Sequence, residues 1–306
     1  DLSLGSTEMM ERSDLAMRSA KATGRSLVRY STELRDGLRA RMRAEVQLRE
    51  ALDDDRIVVH YQPVLRLTDT TLVGFEALVR LRDIDGSLVA PASFISRAEE
   101  LGLIDRLGQR VLDTALRDSR RLVAARGREL TMAVNVSVSQ LTPAFVLRTR
   151  ALLAARGVPA SSLMIELTES ALAESPEEVA TVLGGLRGLG VRVALDDFGT
   201  GYSSLAYLAG LPVDELKIDR SFVAELGTSS TSLTLARTVV QLARALDLLT
   251  VAEGVETVEE ADLLRGMGCQ LGQGYLFSRP QSVEALLELI GSGALTAADV
   301  HSTDDR

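Results

Sequence analysis

Apolar positions along the chain follow two rhythms. From residue 56, short runs rich in Val, Ile, Leu and Thr recur at 56–62, 72–79, 131–138, 162–168, 191–196, 213–218, 249–252 and 270–276, each of strand length. Between most of them apolar residues return every three or four positions, as at 104–125, 176–186, 232–245 and 258–266, the spacing of helices laid on a sheet. From the second run onward strands and helices alternate, which predicts a parallel sheet. Eight strands within about 220 residues predict an α/β fold closed into a TIM-like (β/α)8 barrel, with an open doubly wound sheet as the alternative. The first two runs are separated only by residues 63–71, too few for a crossover helix, so the first strand is expected to be antiparallel.

Ahead of this region the pattern changes. Leu34, Leu38, Met42, Glu45, Leu48 and Leu52 keep helical spacing, with Arg35, Arg39, Arg41, Arg43 and Arg49 between them. This predicts one long charged helix, either a signalling linker or coiled-coil seam, or a solvated helix packed on the barrel. A further helix is expected at 13–25, closed by Gly24. The organisation read from the pattern is a helical segment at 1–28, a linker helix at 29–52, a barrel at 53–295 and a tail at 296–306.

Composition narrows the function classes. The net charge is −9, which argues against DNA or RNA as partners. One cysteine, Cys269, excludes an intrachain disulfide framework and fits the reducing cytoplasm. That thiol with two histidines, His60 and His301, is too little for the usual zinc site. No run approaches the length of a membrane-spanning segment, so none is expected in this chain. Of 34 basic residues only Lys21 and Lys217 are lysine, and Asn135 is the one asparagine. In so Arg-biased a chain, a lysine can mark a place that wants a compact ammonium; chance survival is the plain alternative.

Polar residues collect at the strand C-terminal ends, where a barrel of this kind has its mouth. They are Glu76, Asn135, Glu166 with Glu169, the adjacent Asp196 and Asp197, Lys217 with Asp219, Glu253 and Gln273. Singly each has a plainer reading: Glu76 pairing with Arg80, Asn135 satisfying backbone groups, Glu166 and Glu169 flanking a helix start, Asp196–Asp197 forming a turn. Together, five or six converging carboxylates with one lysine call for divalent cations. All-oxygen ligands suit magnesium or manganese, and so many carboxylates suggest two ions, an arrangement that hydrolyses phosphodiesters.

At these residues a resemblance becomes specific. Glu76-Ala77-Leu78 with Arg80, Asn135-Val136-Ser137 with Gln140, ELTE at 166–169, DDFGTGYSSL from Asp196, KIDRSF from Lys217, AEGVET from Ala252 and QGYLFSRP from Gln273 resemble the EAL-domain family over residues 53–290. The resemblance implies a TIM-like barrel with an antiparallel first strand, hydrolysis of cyclic di-GMP to linear pGpG, two Mg2+ or Mn2+ per site, and homodimers. It places Glu76, Asn135, Glu166 and Asp196 on one metal, with Asp196 bridging to a second held also by Asp197 and Glu253. Lys217 would act on the attacking water, and Glu253 belongs with the catalytic groups. Glu169, also catalytic in this reading, and Glu256 would anchor the loop at 198–204. Gln62, Leu78, Arg80, Asp219 and Gln273 would meet the substrate, Arg80 facing a phosphate. Leu81 departs from the Trp common in relatives. Ser13 to Met17 with Ala20-Lys21 and Gly24-Arg25 resembles the last helix of a GGDEF (diguanylate cyclase-type) domain, with Arg18 in place of the usual Tyr, implying a longer parent with GGDEF and sensory domains. The alternatives to an enzyme are a non-catalytic cyclic di-GMP receptor and a regulatory interaction domain.

Overall fold

The structure, a computed structural model, describes residues 6–23, 26–169, 176–199 and 210–292. Gly24, Arg25, most of the 198–204 loop, any helix start just after Glu169 and the 296–306 tail lie outside the described residues. The chain begins with helices α1 (Ser6–Thr23) and α2 (Thr32–Asp53). Strands β1 (Ile57–Arg66), β2 (Leu72–Arg82) and β3 (Leu88–Val89) follow, then α3 (Ile95–Glu100) and α4 (Ile104–Arg126). The alternation continues with β4 (Thr131–Asn135), α5 (Pro143–Arg156), β5 (Leu163–Thr168), α6 (Pro176–Gly188) and β6 (Arg192–Phe198). It ends with β7 (Glu215–Ile218), α7 (Arg220–Val223), α8 (Ser230–Ala245), β8 (Leu249–Ala252), α9 (Val258–Met267), β9 (Leu271–Gly272) and α10 (Val283–Ser292).

Eight strands close a ring in the order β1-β9-β8-β7-β6-β5-β4-β2, with β2 paired back onto β1 and β3 added to β2 as a short hairpin. β1 is antiparallel to both neighbours, while β2 and β4 through β9 pair in parallel. The expected barrel with a reversed first strand therefore forms, and the β1–β9 pairing removes the open-sheet alternative. Several boundaries differ from the sequence pattern. β1 runs on through Pro63 to Arg66. β4 stops at Asn135 because Ser137 and Gln140 form a capping box that starts a tight turn. β9 pairs over Leu271–Gly272 alone, since the chain turns at Gly274, whose carbonyl accepts from Phe277 and Ser278.

The helices form where local chemistry ends and caps them. α4 buries Leu107, Val111, Leu112, Ala115, Leu116 and Leu122 on one face and stops at Gly127, whose φ of 70° suits glycine. α9 starts in a capping box of Thr257 and Glu260. The main core lies between strands and helices and takes in Leu48, Ala51 and Leu52 from the end of α2. That end of the helix is also tied by ion pairs, Arg97 to Glu45 and Arg106 to Asp53, so it packs on the barrel. Beneath α4, the Tyr61 hydroxyl donates to Asp118 Oδ2 at 2.8 Å, linking β1 to the helix layer. No helix among the described residues is long and apolar enough to cross a membrane.

Candidate active site

Alternation in a strand turns every second side chain to one face, so Glu76, Leu78 and Arg80 share one side of β2. Register then brings the polar strand ends level. Gln62 lies opposite Glu76, Asn135 opposite Glu166, Thr168 opposite Asp196, and Lys217 opposite Val251, two residues short of Glu253.

Lys217 stands at the centre, only 1% exposed. Its Nζ lies 2.5 Å from Glu253 Oε1, 2.9 Å from Glu166 Oε2, 3.4 Å from Asp196 Oδ1 and 3.6 Å from Glu76 Oε2. Glu76 is fixed from the other side, where Oε1 accepts from Asn135 Nδ2 at 2.6 Å and Oε2 from Gln273 Nε2 at 2.5 Å. Gln273 Nε2 also donates to Gln62 Oε1 at 3.0 Å, and Gln62 Nε2 donates to the Ser278 carbonyl. Glu76 thus bonds across the barrel, while the half-buried Arg80 donates from Nη1 to the Val79 carbonyl at 2.8 Å.

Asp196 and Asp197 are neighbours in a strand, which ordinarily sends them to opposite faces. Here the β6–β7 register shifts between Leu195 and Phe198, and Asp197 takes a φ of 55°. A bulge of this kind re-aims a side chain, and Asp is one of the few residues that tolerate the left-handed region. The Asp197 N–H donates to Asp196 Oδ1 at 2.9 Å. As a result Asp196, Asp197 and Glu253 offer oxygens that all lie within 4.8 Å of one another. Asp219 sits beside Asp197 and caps α7 by accepting from the Ser221 N–H at 3.0 Å.

Charge in this ring is unbalanced. Burial lowers the pKa of the Lys217 ammonium, but Glu166, Glu253, Glu76 and Asp196 outweigh it and hold the group charged. Burial likewise raises Glu76, yet Lys217, Gln273 and Asn135 bring it below its ordinary value. Three carboxylates go the opposite way. Burial, then the neighbouring acids, pushes Glu166 well up, Glu253 to about 8 and Asp197 to about 6. One ammonium does not neutralise five acids, which leaves a deficit of positive charge. An all-oxygen donor set with that deficit fits hard divalent cations.

Two expected loop anchors behave differently. Glu169 is buried behind β5 and its Oε2 accepts from the Gly199 N–H at 2.8 Å, at the start of the segment after Asp197. Glu256 is exposed after β8, where its N–H donates to Glu260 Oε2. Between them Gly254 has a φ of 67°, and a Cβ there would meet the Arg220 Cβ at 2.6 Å, which is why glycine follows Glu253. Leu78 and Asn135 line a cleft of about 610 Å³ together with Glu166, Ser137 and Gln140. Glu99 is on the same wall, bonded by the Ser137 hydroxyl at 2.6 Å, and sequence reasoning passed it over. It also passed over Glu215, which shares the inward parity of Lys217 two residues earlier; that parity was the available signal.

Comparison with known proteins agrees with this geometry. A family profile described as EAL domain matches residues 45–280. The cyclic di-GMP phosphodiesterase NbdA of Pseudomonas aeruginosa is 41% identical over 293 residues, covering 95% of this chain and 37% of that protein. The bifunctional diguanylate cyclase/cyclic di-GMP phosphodiesterase MucR of the same organism is 37% identical over 282 residues, or 92% of this chain and 41% of the relative. The chain therefore spans less than half the length of these curated relatives. Among solved structures, the PaMucR phosphodiesterase in complex with c-di-GMP superposes with a TM-score of 0.77 at 38% identity, covering 80% of this chain and 99% of that one. With the profile spanning most of the barrel and relatives this similar, the chain belongs to the EAL-domain family.

Proposed function

We propose that this chain hydrolyses cyclic di-GMP, opening one phosphodiester to give linear pGpG. The observation that carries the reading is the ring of Glu76, Glu166, Asp196 and Glu253 around Lys217 at the barrel mouth. The names of NbdA and MucR support the substrate. Glu76, Asn135, Glu166 and Asp196 would hold one magnesium or manganese ion, and Asp196, Asp197 and Glu253 a second. When bound, the two ions supply polarisation of the phosphoryl oxygens and a lowered water pKa.

The protein's own groups do the rest. Lys217 presents a compact positive charge towards the reacting phosphate, in a site where preorganised charge is worth far more than in water. Glu253, at 2.5 Å, sets the direction of that ammonium. Arg80 meets a phosphate with its guanidinium fork, Leu78 gives a base an apolar wall, and Asp219 contacts the substrate near Asp197. Gln62 and Gln273 hold Glu76 in place and face the nucleotide. Glu169, with Glu256, steadies the loop that starts at Gly199. A homodimer and a cytoplasmic parent with GGDEF and sensory domains fit the reading; the bifunctional name of MucR and the likeness at 13–25 support the GGDEF part.

The test is product analysis of cyclic di-GMP incubated with the protein and magnesium. Linear pGpG is expected. Tight binding of unchanged nucleotide would make the chain a receptor, and no binding would make it an interaction domain. Glu169→Ala takes away the acceptor of the Gly199 N–H, and it should lower kcat about 10- to 100-fold, the usual effect of losing a supporting contact. Circular dichroism should show an intact fold; unchanged kcat would remove the loop from the mechanism.

A further inference from the structure

Asn135 stands at the last ladder position of β4, opposite Glu166 on β5. One more backbone bond, from the Val136 N–H to the Glu166 carbonyl at 2.9 Å, ties the chain to its neighbour strand. Beyond it the chain leaves the sheet, so the aim of Asn135 depends on what holds the turn that follows. Its Nδ2 is committed to Glu76, which leaves Oδ1 as the atom that can meet a cation.

The turn is held against two helices. Gln140 accepts from the Ser137 N–H at 3.1 Å and packs against α4 at Gly108, where a Cβ would run into its side-chain amide. The Ser137 hydroxyl donates to Glu99 Oε1 of α3 at 2.6 Å, and the Ser139 hydroxyl lies 3.0 Å from it. Glu99 is exposed, so water alone would satisfy its carboxylate, and an idle surface acid is the plainer reading. The length argues otherwise. Hydroxyl-to-carboxylate bonds of about 2.5–2.7 Å are roughly twice as strong as bonds between neutral groups. The helix that carries Glu99 is also pinned. α3 has only six residues, with Phe94 and Ala98 buried on its inner face. Its Arg97 bonds Glu100 from Nη1 at 2.6 Å and reaches Glu45 of α2 from Nη2 at 3.6 Å. Glu45 in turn accepts from Arg49 Nη2 at 3.2 Å. α3 therefore bridges the long helix α2 and the turn after β4, which gives Glu99 a firm base.

We propose that Glu99 is a positioning residue: through Ser137 it fixes the turn after β4, and so the direction in which Asn135 offers its oxygen to a divalent cation. Partners of this kind orient a ligand without touching the metal, and their loss weakens metal binding. The inference rests on the reading of Asn135 as a metal ligand.

The experiment titrates magnesium into the nucleotide-free protein by calorimetry, for the wild type, Glu99→Ala, Glu99→Gln, Ser137→Ala and the double variant Glu99→Ala/Ser137→Ala. Glu99→Ala should weaken magnesium binding about 10- to 100-fold. Glu99→Gln should recover most of that loss, since its amide oxygen still accepts from Ser137. Ser137→Ala should match Glu99→Ala, and the double variant should lose no more than either single one, because all three remove the same bond. Nucleotide affinity at saturating magnesium should stay at the wild-type level. Unchanged magnesium affinity in Glu99→Ala, or losses that add in the double variant, would overturn the proposal. So would a fall in nucleotide affinity with metal affinity intact, which would make Glu99 a substrate contact. Should Glu99→Ala fail to fold, Ser137→Ala removes the same bond from the other side and carries the test. Failure of the wild type itself to bind magnesium would sink the metal-site reading, and this inference with it.

Discussion

Lys217→Arg should lose turnover by about 100- to 1,000-fold while still binding the nucleotide, the size of effect seen when one preorganised charge is removed. Lys217 is buried with four carboxylate oxygens within 3.6 Å of one nitrogen. A guanidinium spreads its charge over a plane and donates in fixed directions, so it does not fit a centre built around a point. It does keep the positive charge that Glu166 and Glu253 need, so the barrel should still fold. The substitution therefore separates geometry from charge balance. Arg fills 32 of the 34 basic positions in this chain, so mere charge balance at 217 would have tolerated it too. Turnover assays and nucleotide affinity on that one variant decide. Near wild-type turnover would mean that Lys217 only neutralises its neighbours, and that its survival in an Arg-rich chain is chance.

Asp196→Asn should cost about a thousandfold or more in turnover, because it weakens the oxygen shared by the two proposed cation sites. The fold should be spared. Asn keeps the oxygen that accepts the Asp197 N–H, and the change removes one of several like charges crowded around Lys217. Thermal unfolding should thus show a Tm no lower than wild type, alongside lost activity. Glu76→Ala should lose turnover comparably but cost stability, since Asn135 Nδ2 and Gln273 Nε2 both lose their acceptor. Near wild-type turnover in Asp196→Asn would make the bridging assignment wrong.

Much of this was legible in the residues. The alternation of runs and helices predicted the barrel, and the short 63–71 connection predicted the reversed strand, because chain length alone forbids a crossover. Their place at the strand C-terminal ends brought Glu76, Glu166 and Lys217 together at the barrel mouth. What escaped depends on tertiary detail. The bulge at Asp197 breaks parity, and nothing in a DD pair announces a positive φ at a residue other than glycine. The Gln62–Gln273–Glu76 chain of amides joins residues over 190 positions apart and appears only once β1 and β9 meet. The pattern ends the first run at 62, yet the pairing of β1 with β2 continues through Pro63 opposite Phe75. Glu215 stands beside Asp214 in the 213–218 run and draws no notice there, though its parity with Lys217 points it into the lumen.

The central claim is that the carboxylate ring around Lys217 works only with divalent cations. Its most direct test is turnover of cyclic di-GMP by protein stripped with EDTA and then given back magnesium, manganese or calcium. The stripped protein should give no pGpG, magnesium or manganese should restore turnover, and calcium, which is larger and less strictly octahedral, should not. Sustained hydrolysis by the metal-free protein would contradict it.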